Sequence, residues 1–327
     1  MPDLFHPQLL PATIGAAAGL SLLILAYLWL LKRWMQTGRS TRWALLGVIA
    51  LFETAYWLNV YAWFIEPSLL VVRRVEIASE QWQGPSLTIA VVGDTHVGGS
   101  HVDAARMGRI VARVNELRPE LVVLLGDYVN GHATEAERTP AENQEIAGGI
   151  ATFAALRARY GVVAAIGNHD VWYDRTLVTT ALQDAGAAAL WNRHVVIRRS
   201  GGAFVVAGLE DDLTGDPDFA ASLDGAPAGT DTIVISHSPD PFVDFPDNAA
   251  LMLAGHGHCG QVTIPFMGRP IVPLRNRRFG CGLIEENGAA MYVTAGIGTS
   301  IAPVRFLNPP EIVLITLRGS SLDSPRP

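Results

Sequence analysis

LTIAVVGDTHVGG, residues 87–99, joins an apolar run to a glycine, an aspartate and a histidine. The run Leu87–Val92 is rich in Val, Ile and Leu with little alternation, which predicts a strand covered by other layers on both faces. The Gly-Asp step that follows is a common turn. The stretch therefore predicts a buried strand whose carboxyl end presents Asp94 and His96.

Four further stretches repeat this order of an apolar run, a glycine or small residue, and then Asp, Asn or His. They are LLGDYVNG at 124–131, AIGNHDVW at 165–172, VISHSPD at 234–240 and LAGHGHCGQ at 253–261. Each one alone is explained as well by a turn or a surface histidine. Polar groups at the carboxyl ends of neighbouring strands share one edge of a sheet, where α/β proteins build their sites. Five such stretches in one chain therefore predict a shared site.

The chain after Glu66 alternates short apolar runs with amphipathic stretches, which predicts one large α/β domain over residues 67–318. Further strands are predicted at Leu121–Leu125, Val162–Ile166, Phe204–Ala207, Thr232–Ile235, Leu251–Ala254, Met291–Thr294 and Ile312–Thr316. Helices are predicted at Val102–Leu117, Ala141–Arg157 and Thr176–Ala185. The segment Leu213–Thr230, full of Gly, Asp, Pro and Ala, predicts a surface loop, and residues 319–327 predict a disordered tail.

The side chains at these strand ends form a set of nitrogen and oxygen donors: two carboxylates, one amide and four imidazoles. They belong to Asp94, His96, Asp127, Asn168, His237, His256 and His258. Such a set suits Zn, Mn, Fe, Co or Ni and needs no thiolate. Seven donors are too many for one tetrahedral ion, but they suit two divalent ions about 3.5 to 4 Å apart that share a carboxylate, an arrangement used for phosphate ester hydrolysis. The excess positive charge of two such ions favours an anionic substrate.

In order and residue type these motifs resemble the calcineurin-like metallophosphoesterase superfamily, whose pattern is D-x-H, G-D, G-N-H-D/E, a lone His, and G-H-x-H. The resemblance covers roughly Leu87–Leu317. It is closest to the membrane-associated bacterial branch related to YkuE and YaeI, because Gly260 and Gln261 follow the last motif and because the ending AGIGTSIAPVRFLNPPEIVLITL is similar. The fold that the resemblance implies is a four-layer αββα sandwich, and the implied activity is that of a metal-dependent phosphoric ester hydrolase.

The resemblance also implies a role for each donor. One metal would be held by Asp94, His96 and His258 and the other by Asn168, His237 and His256, with Asp127 bridging the two. The cofactors would be two divalent ions, either Mn, Zn or Fe, and a water between them would lose a proton near neutral pH and attack phosphorus in line. His169 would stabilise the developing charge or protonate the departing oxygen, so His169 and Asp127 are the predicted catalytic residues.

Two positions near these motifs carry weaker predictions. Arg305, in APVRFLNPP, would suit a substrate phosphate through bidentate bonds, and ordinary solvated charge explains it equally well. Cys259 stands where the family usually has glycine. A free thiol there would make the site sensitive to oxidation, whereas pairing with Cys281 in an oxidising compartment is equally compatible with the sequence.

Two apolar segments precede the α/β domain. Ala12–Leu31 has no charged residue and Trp43–Ile65 has only Glu53, so each is long enough to cross a hydrocarbon core of about 30 Å. A buried helix of a globular domain is the alternative for the second segment. Because no basic residue precedes Lys32, the N-terminus is unlike a signal peptide, and residues 1–66 predict a retained transmembrane hairpin that anchors the protein.

The loop between the segments carries four basic residues from Lys32 to Arg42, whereas the first ten residues carry none. By the positive-inside tendency this loop is cytoplasmic. The chain is therefore predicted to be a multi-pass protein of the bacterial inner membrane with its catalytic domain outside the cytoplasm. Arg73 and Arg74, soon after the second segment, argue for the opposite orientation.

The formal net charge is −7 and no long basic run occurs, so nucleic acid is not a predicted partner. We expect a phosphorylated small molecule or a lipid-linked substrate, the membrane, and no obligate protein partner. The leading prediction is hydrolysis of phosphate mono- or diesters or of pyrophosphate bonds. One alternative is a UDP-2,3-diacylglucosamine-type pyrophosphatase, whose substrate would place the site on the cytoplasmic face. The other is a non-catalytic metal-binding membrane protein, whose signature would be the loss of a metal ligand or of His169.

Overall fold

Twelve strands form two sheets in the computed structural model, which describes residues 10–33, 38–200 and 202–320. The strands are β1 Val71–Ser79, β2 Leu87–Val92, β3 Leu121–Leu124, β4 Val162–Ala164, β5 Ala187–Ala189, β6 Arg193–Arg199, β7 Gly202–Gly208, β8 Asp231–Ile235, β9 Leu251–Ala254, β10 Gly282–Glu286, β11 Ala289–Val293 and β12 Glu311–Gly319. The α-helices are α1 Leu10–Arg33, α2 Arg39–Val60, α3 Ala104–Glu116, α4 Pro140–Ala151, α5 Asn168–Asp184 and α6 Phe219–Leu223.

The first sheet has the strand order β1-β12-β2-β3-β4-β5 and the second has β10-β11-β9-β8-β7-β6. Strands β2 to β5 are parallel neighbours, and so are β7, β8, β9 and β11. The antiparallel pairs are β12 with β2, β10 with β11, and β6 with β7. Because parallel strands end on the same side, each sheet gathers its strand-end loops at one edge.

The two sheets pack face to face around a shared apolar core. Ile89 of the first sheet lies in the same buried cluster as Phe204 and Leu251 of the second. Helices α3, α4 and α5 cover the outer face of the first sheet. Among the described residues, the outer face of the second sheet is covered by the short α6 and by turns that carry Phe242 and Phe279. The predicted four-layer αββα sandwich is confirmed, with one helical layer much thinner than the other.

The eight predicted strands are all present, with boundaries shifted by three residues or fewer, but β1, β5, β6 and β10 are not predicted. These four are the edge strands of the two sheets. An edge strand is covered on fewer sides, so it tolerates charges such as those in VVRRVEIAS and RHVVIRR, or a length of only three residues in β5. The continuous apolar run that marks the central strands is therefore missing.

Other boundaries also differ from the predictions. The helix predicted at Ala141–Arg157 is α4, which ends at Ala151 and is followed by a 3₁₀ turn at Thr152–Ala155. Helix α5 begins at Asn168 rather than Thr176, and a non-helical Asp174 with φ −175° and ψ 105° divides it. The predicted loop Leu213–Thr230 contains the short helix α6. Gly319 belongs to β12 rather than to a tail, because the strand continues its pairing with β1 to the end. Residues 321–327 of the predicted tail lie outside the described residues.

Ala12–Leu31 lies within α1, and Trp43–Ile65 covers most of α2 and the π-helical turn that follows it. Both helical stretches are long and apolar enough to cross a membrane and have few buried side chains. The helices contact one another, and a Cβ atom on Gly19 would lie 3.1 Å from the ring of Tyr56. After α2 the chain continues as a π-helical turn, Tyr61–Ile65, and a 3₁₀ turn, Glu66–Ser68, before β1 starts. The pair of helices α1 and α2 is thus joined to the α/β domain without an extended linker.

Candidate metal centre

The predicted donors lie where the central strands end. Strand β2 leads to Asp94 and His96, β3 to Asp127, β4 to Asn168, β8 to His237, and β9 to His256 and His258. Backbone hydrogen bonds tie these loops together across each sheet: Asp94 N–H donates to Gly126 O at 3.0 Å and His96 N–H to Asp127 O at 2.9 Å. In the second sheet Gly255 N–H donates to His237 O at 2.9 Å. The loops therefore hold their polar side chains in fixed positions at one edge of the sandwich.

Five of the seven donors have backbone in the left-handed region. The φ angles are 50° at Asp94, 46° at His96, 53° at Asp127, 62° at His256 and 47° at His258. Each such non-glycine residue costs about 1 to 3 kcal/mol and persists where the surroundings enforce it. The strained turns end the strands abruptly and direct the side chains into one space.

Glycines beside the donors leave room for the carboxylates. A Cβ atom on Gly255 would lie 2.4 Å from Asp94 Oδ2, and one on Gly167 would lie 2.3 Å from Asp127 Oδ1. Real Cβ contacts are not that short, so any larger residue would displace the carboxylate. The glycines of the strand-end motifs are therefore part of the geometry of the site.

The first group of donors consists of Asp94, His96 and His258, whose ligand atoms lie within 4.8 Å of one another. The Nε2 atoms of His96 and His258 are 3.0 Å apart, and His258 Nε2 is 3.6 Å from Asp94 Oδ1. The other ring nitrogen of His96 lies 3.3 Å from the backbone oxygen of Val129. That contact orients the ring so that Nε2 points at its two partners.

The second group consists of Asp127, His237 and His256, with ligand atoms again within 4.8 Å. His237 Nε2 is 3.2 Å from Asp127 Oδ2 and 3.1 Å from His256 Nδ1. His237 Nδ1 lies 2.7 Å from Leu125 O, which fixes the ring. Asp127 Oδ2 is also 3.7 Å from His96 Nε2 in the first group. Asp127 therefore stands between the two groups, in the position of a bridging ligand.

Several buried donor atoms have surroundings that suit a cation better than a hydrogen bond to a neighbouring side chain. Asp94 Oδ2, Asn168 Oδ1 and His258 Nδ1 are buried and have no hydrogen-bond partner within the described part of the chain. Such atoms are rare in folded proteins and point to an unseen ion or water. Two imidazole nitrogens at 3.0 Å also need a proton or a cation between them. The residues present thus fit two divalent ions of the kind that nitrogen and oxygen ligands prefer.

Burial and neighbouring charge set the protonation of the donors. Burial raises the pKa of Asp94 to about 7 and lowers the pKa of His96 to about 3. Burial opposes ionisation of Asp127, but the charges of His237 and His169 outweigh it and hold the pKa of that carboxyl well below its usual range. The pKa of His237 is raised well above its usual value, since the charge of Asp127 outweighs the effect of burial. Bound cations would replace the protons of Asp94 and His237 and would balance the negative charge of the carboxylates.

His169 lies beside both groups at the floor of an open cleft. Its backbone N–H donates to Asp127 Oδ1 at 2.9 Å, and its Nδ1 lies 2.7 Å from Gly131 O. The carbonyl can only accept, so Nδ1 carries the proton and Nε2 is left facing the site, 3.9 Å from Asp127 Oδ2. The ring also packs edge-on against Trp172. His169 is therefore placed to exchange a proton through Nε2.

Asp170 has a role in the site that was not predicted from the sequence. This fully buried carboxylate accepts hydrogen bonds from the backbone N–H groups of Asp127 and Tyr128 at 2.8 Å and of Gly167 at 2.9 Å. It therefore clamps the turn that carries Asp127 against the turn that carries Asn168. The signal was present as the last letter of GNHD, but only the fold shows which backbone groups it reaches.

The prediction that Arg305 binds substrate needs correction. The side chain is fully buried, and its guanidinium donates to the backbone oxygens of Ala295, Gly298 and Asn308. Burial lowers the pKa of Arg305 to about 10. The guanidinium is thus used in holding the loop 295–308 and does not reach the cleft.

The two cysteines form a disulfide between Cys259 and Cys281, so the free thiol that was one alternative is absent from the described residues. The bond links the residue after His258 to the start of β10. Between the two cysteines the chain makes a long excursion over one wall of the cleft. The disulfide therefore closes the base of that excursion next to a donor.

The cleft above the donors has a volume of about 450 Å³. Its floor includes Asp127, Asn168, His169, His256 and His258. Its walls are mostly apolar and include Trp172, Leu213, Val262, Ile271, Ile301 and Val304. A molecule that enters would meet polar donors below and apolar side chains around it.

Relatives of the chain are known. It is 27% identical over 268 residues to the uncharacterized metallophosphoesterase YkuE of Bacillus subtilis (strain 168), which covers 80% of this chain and 90% of that protein. It is 26% identical over 261 residues to the phosphodiesterase YaeI of Escherichia coli (strain K12), covering 79% and 92%. A transmembrane protein with metallophosphoesterase domain from Danio rerio is 29% identical over 300 residues, covering 83% of this chain and 62% of that protein.

Residues 87–260, just over half of the chain, match the model of the family described as calcineurin-like phosphoesterase. The match begins at β2 and ends just after the last donor, so it spans all the strand-end loops described above. The chain therefore belongs to the calcineurin-like phosphoesterase family and is a metal-dependent phosphoester hydrolase.

Proposed function

We propose that the protein is a membrane-anchored phosphoesterase that hydrolyses phosphate mono- or diesters or pyrophosphate bonds at a dinuclear centre. The observation that supports this most directly is the position of Asp127 between two groups of nitrogen and oxygen donors at the floor of an open cleft. Asp94, His96 and His258 would hold one ion, and Asn168, His237 and His256 the other. Two divalent ions would supply an activated water and neutralise the charge of a phosphoryl group.

The side chains of the chain itself would position that chemistry. Asp127 is held by the N–H of His169 through Oδ1, which leaves Oδ2 for the ions. His169 would donate a proton from Nε2 to the departing oxygen, because its Nδ1 proton is already engaged by Gly131 O. The apolar walls reduce access of bulk water, which strengthens the interactions of charged groups inside the cleft.

We further propose that α1 and α2 cross the bacterial inner membrane and that the catalytic domain lies outside the cytoplasm. Their length and apolar surface support the anchoring. The basic residues between the two apolar segments support the orientation. The disulfide between Cys259 and Cys281 supports it as well, since such bonds persist in oxidising compartments.

Hydrolysis of bis(p-nitrophenyl) phosphate by the full chain with added Mn²⁺ tests the proposed activity. We expect turnover by the natural sequence and a loss of at least about a thousandfold in kcat for Asp127→Asn, which keeps the size of the side chain but removes the bridging charge. Asp212→Asn, a change in the acidic loop of β7 to β8, is the matched control and should keep the activity. Equal rates for Asp127→Asn and the natural sequence would rule out the dinuclear mechanism.

A non-catalytic metal-binding protein is the second candidate. It would bind metal but hydrolyse neither this diester nor a monoester under any metal condition. No predicted donor is replaced in this chain, and His169 is present. The same assay therefore separates the two candidates.

A further inference from the structure

An exposed apolar hairpin stands at the mouth of the cleft. Ile264 and Gly268 exchange two backbone hydrogen bonds of 2.8 Å, which close a tight turn with Phe266 at its tip. Phe266 is fully exposed and has a φ of 68°, a conformation that favours glycine or asparagine. Met267 beside it is 71% exposed. A turn in water does not need two large apolar side chains at its tip.

The same surface continues around the mouth. Ile271 follows the hairpin, Ile301 is 87% exposed with a φ of 63°, and Leu307 is more than half exposed. We call the set the apolar rim; it consists of Ile264, Phe266, Met267, Ile271, Ile301 and Leu307. Exposed apolar side chains grouped around a cleft in this way mark a contact with a membrane, a ligand or a protein.

The apolar rim lies next to the end of the second apolar helix. Arg305 N–H donates to Ala62 O at 3.0 Å, and the ring of Phe306 packs edge-on against Tyr61 at 6.4 Å. Phe306 O in turn accepts from Thr263 N–H at 2.8 Å, directly before the hairpin. Tyr61 is four residues before the end of the apolar segment, or about 6 Å at the rise of a helix.

A third contact fixes this junction. Glu66, which is buried, accepts hydrogen bonds from the backbone N–H groups of Leu307 and Asn308. The loop that carries Ile301 and Leu307 is thus bound to the helix by backbone and side-chain contacts. A bilayer that surrounds the end of α2 would therefore reach the level of the apolar rim.

We propose that the apolar rim is embedded in the membrane surface and that the cleft receives a phosphate ester carried on a membrane lipid. The proposal rests on the membrane anchoring and the hydrolase activity proposed above. The lining of the cleft supports this substrate class: the donors and His169 at the floor suit a phosphate, while Val262, Ile271 and Ile301 on the wall suit a hydrocarbon chain. A lipid whose chain stays in the bilayer would place its head group over the donors.

Fluorescence quenching tests the position of the apolar rim without any reaction. Full-length protein is labelled with an environment-sensitive fluorophore on F266C and reconstituted into phosphatidylcholine vesicles that contain spin-labelled lipid. L51C, on an exposed face of α2, reports the anchor, and V243C, exposed on the outer face of the second sheet, is the matched control. The natural cysteines are paired in the disulfide and do not react.

We expect the spin-labelled lipid to quench the label at F266C and at L51C but not at V243C. If only L51C is quenched, the anchor is right and the embedded rim is wrong. If neither is quenched, the proposed anchoring fails together with the rim. A label at F266C that reports an apolar environment but is not quenched by lipid would show that protein, such as a second copy of this chain, covers the rim, and this would overturn the proposal.

Two esters with the same scissile bond test the substrate class. Hexadecyl p-nitrophenyl phosphate in the vesicles and methyl p-nitrophenyl phosphate in solution share the leaving group and differ only in the chain. We expect kcat/KM to be at least about tenfold higher for the hexadecyl ester. The double change Phe266→Ser and Met267→Ser should remove this preference but keep hydrolysis of the methyl ester, and Val243→Ser should change neither.

The outcomes separate this inference from the proposed activity. Hydrolysis of both esters with equal kcat/KM, or a preference that survives the changes in the rim, would overturn the lipid substrate and leave the phosphoesterase in place. Hydrolysis of neither ester by a protein that does turn over bis(p-nitrophenyl) phosphate would overturn the lipid substrate alone. Failure on all three diesters and on p-nitrophenyl phosphate would overturn the proposed activity as well, while the quenching still decides where the rim lies.

Discussion

Asp127 is the residue on which both groups of donors depend. Its Oδ2 lies 3.2 Å from His237 Nε2 and 3.7 Å from His96 Nε2, while Oδ1 is held by the backbone N–H of His169. Asp170 fixes the backbone of this turn from behind through the N–H groups of Asp127 and Tyr128. A change at Asp127 should therefore affect both ions at once, whereas a change at Asp94 should affect one.

Asp94 gives the site a pH dependence whose sign follows from its pKa. Because burial raises that pKa to about 7, the metal-free carboxyl keeps its proton below pH 7, and a cation must displace it. The apparent affinity for Mn²⁺ should therefore increase as the pH rises from about 5 to about 7. His96, with a pKa lowered to about 3, is already neutral in that range and adds no such dependence.

Calorimetric titration with Mn²⁺ at about pH 6, in two buffers of different ionisation enthalpy, counts the protons released. Asp94→Asn should release about one proton fewer per site than the natural sequence. His237 also holds a proton, and because the charge of Asp127, the larger cause of its raised pKa, is kept in both proteins, it should remain protonated in both before metal binds. An equal proton count for the two proteins would contradict the protonated state of Asp94.

Single residues were predicted from the sequence to different degrees. All seven donors are brought to one edge, because a residue directly after a buried strand has little freedom in where it points. The prediction for Arg305 was wrong and no role was predicted for Asp170, since the contacts of both side chains depend on backbone groups that lie far from them in the chain or across a turn. A motif shows which groups exist, whereas the fold decides what each one contacts.

At the scale of elements, the strand ends and the excursion between the cysteines shape the site. Strands β2, β3 and β9 turn through donors with left-handed backbone, whereas Asn168 after β4 and His237 after β8 keep ordinary φ angles. The excursion between Cys259 and Cys281, which are 22 positions apart, carries the exposed hairpin and is closed by the disulfide. Both features can be changed one at a time.

Gly255→Ala should weaken metal binding without unfolding the protein. The new Cβ atom would lie 2.4 Å from Asp94 Oδ2, so the carboxylate must move. We expect the affinity for Mn²⁺ to fall at least about tenfold, while the far-ultraviolet circular dichroism stays unchanged. Gly108→Ala is the control, because nothing lies within 4 Å of its Cβ position in α3. This change should keep metal binding and stabilise the helix by about 0.5 to 1 kcal/mol. Equal affinities of both variants would contradict the steric account.

Replacing both cysteines by serine should lower the free energy of unfolding by about 3 kcal/mol, because the closed loop no longer restricts the unfolded chain. Denaturant unfolding of the metal-loaded protein in detergent measures the difference. Reduction of the natural protein should cause a similar loss and serves as the independent check. If unfolding is unaffected by both treatments, the disulfide does not contribute to stability.

At the scale of the whole molecule, the apolar hairpin, the loop 295–308 and the cleft are neighbours. Helix α2 leads through two short turns into β1, the edge strand of the first sheet. The loop after β11 packs on the end of α2 and also lines the cleft. The two apolar helices and the site are thus connected through direct contacts, although the donors come from strands at the centre of the sheets.

The proposed orientation predicts where a C-terminal fusion will function. In a bacterial host, alkaline phosphatase fused to the C-terminus should be active, since it folds only outside the cytoplasm. Green fluorescent protein at the same position should stay dark after export by the same route. If the green fluorescent protein fusion is fluorescent and the alkaline phosphatase fusion is inactive, the domain lies in the cytoplasm. The basic loop would then not indicate the orientation.

The central strands, the strand-end donors, the family and the two apolar helices could be predicted from the sequence, because each depends on residues that are close together in the chain. Continuous apolar runs, a motif of a few residues and an uncharged segment are local signals. The tertiary structure alone decided which four strands form the sheet edges, that Cys259 pairs with Cys281, and that Arg305 is buried.

The tertiary structure alone also placed the exposed hairpin, the end of α2 and the cleft beside one another. These facts depend on contacts between segments that are far apart in sequence, such as Tyr61 and Phe306. Packing of complete layers, rather than any local preference, brings such segments together.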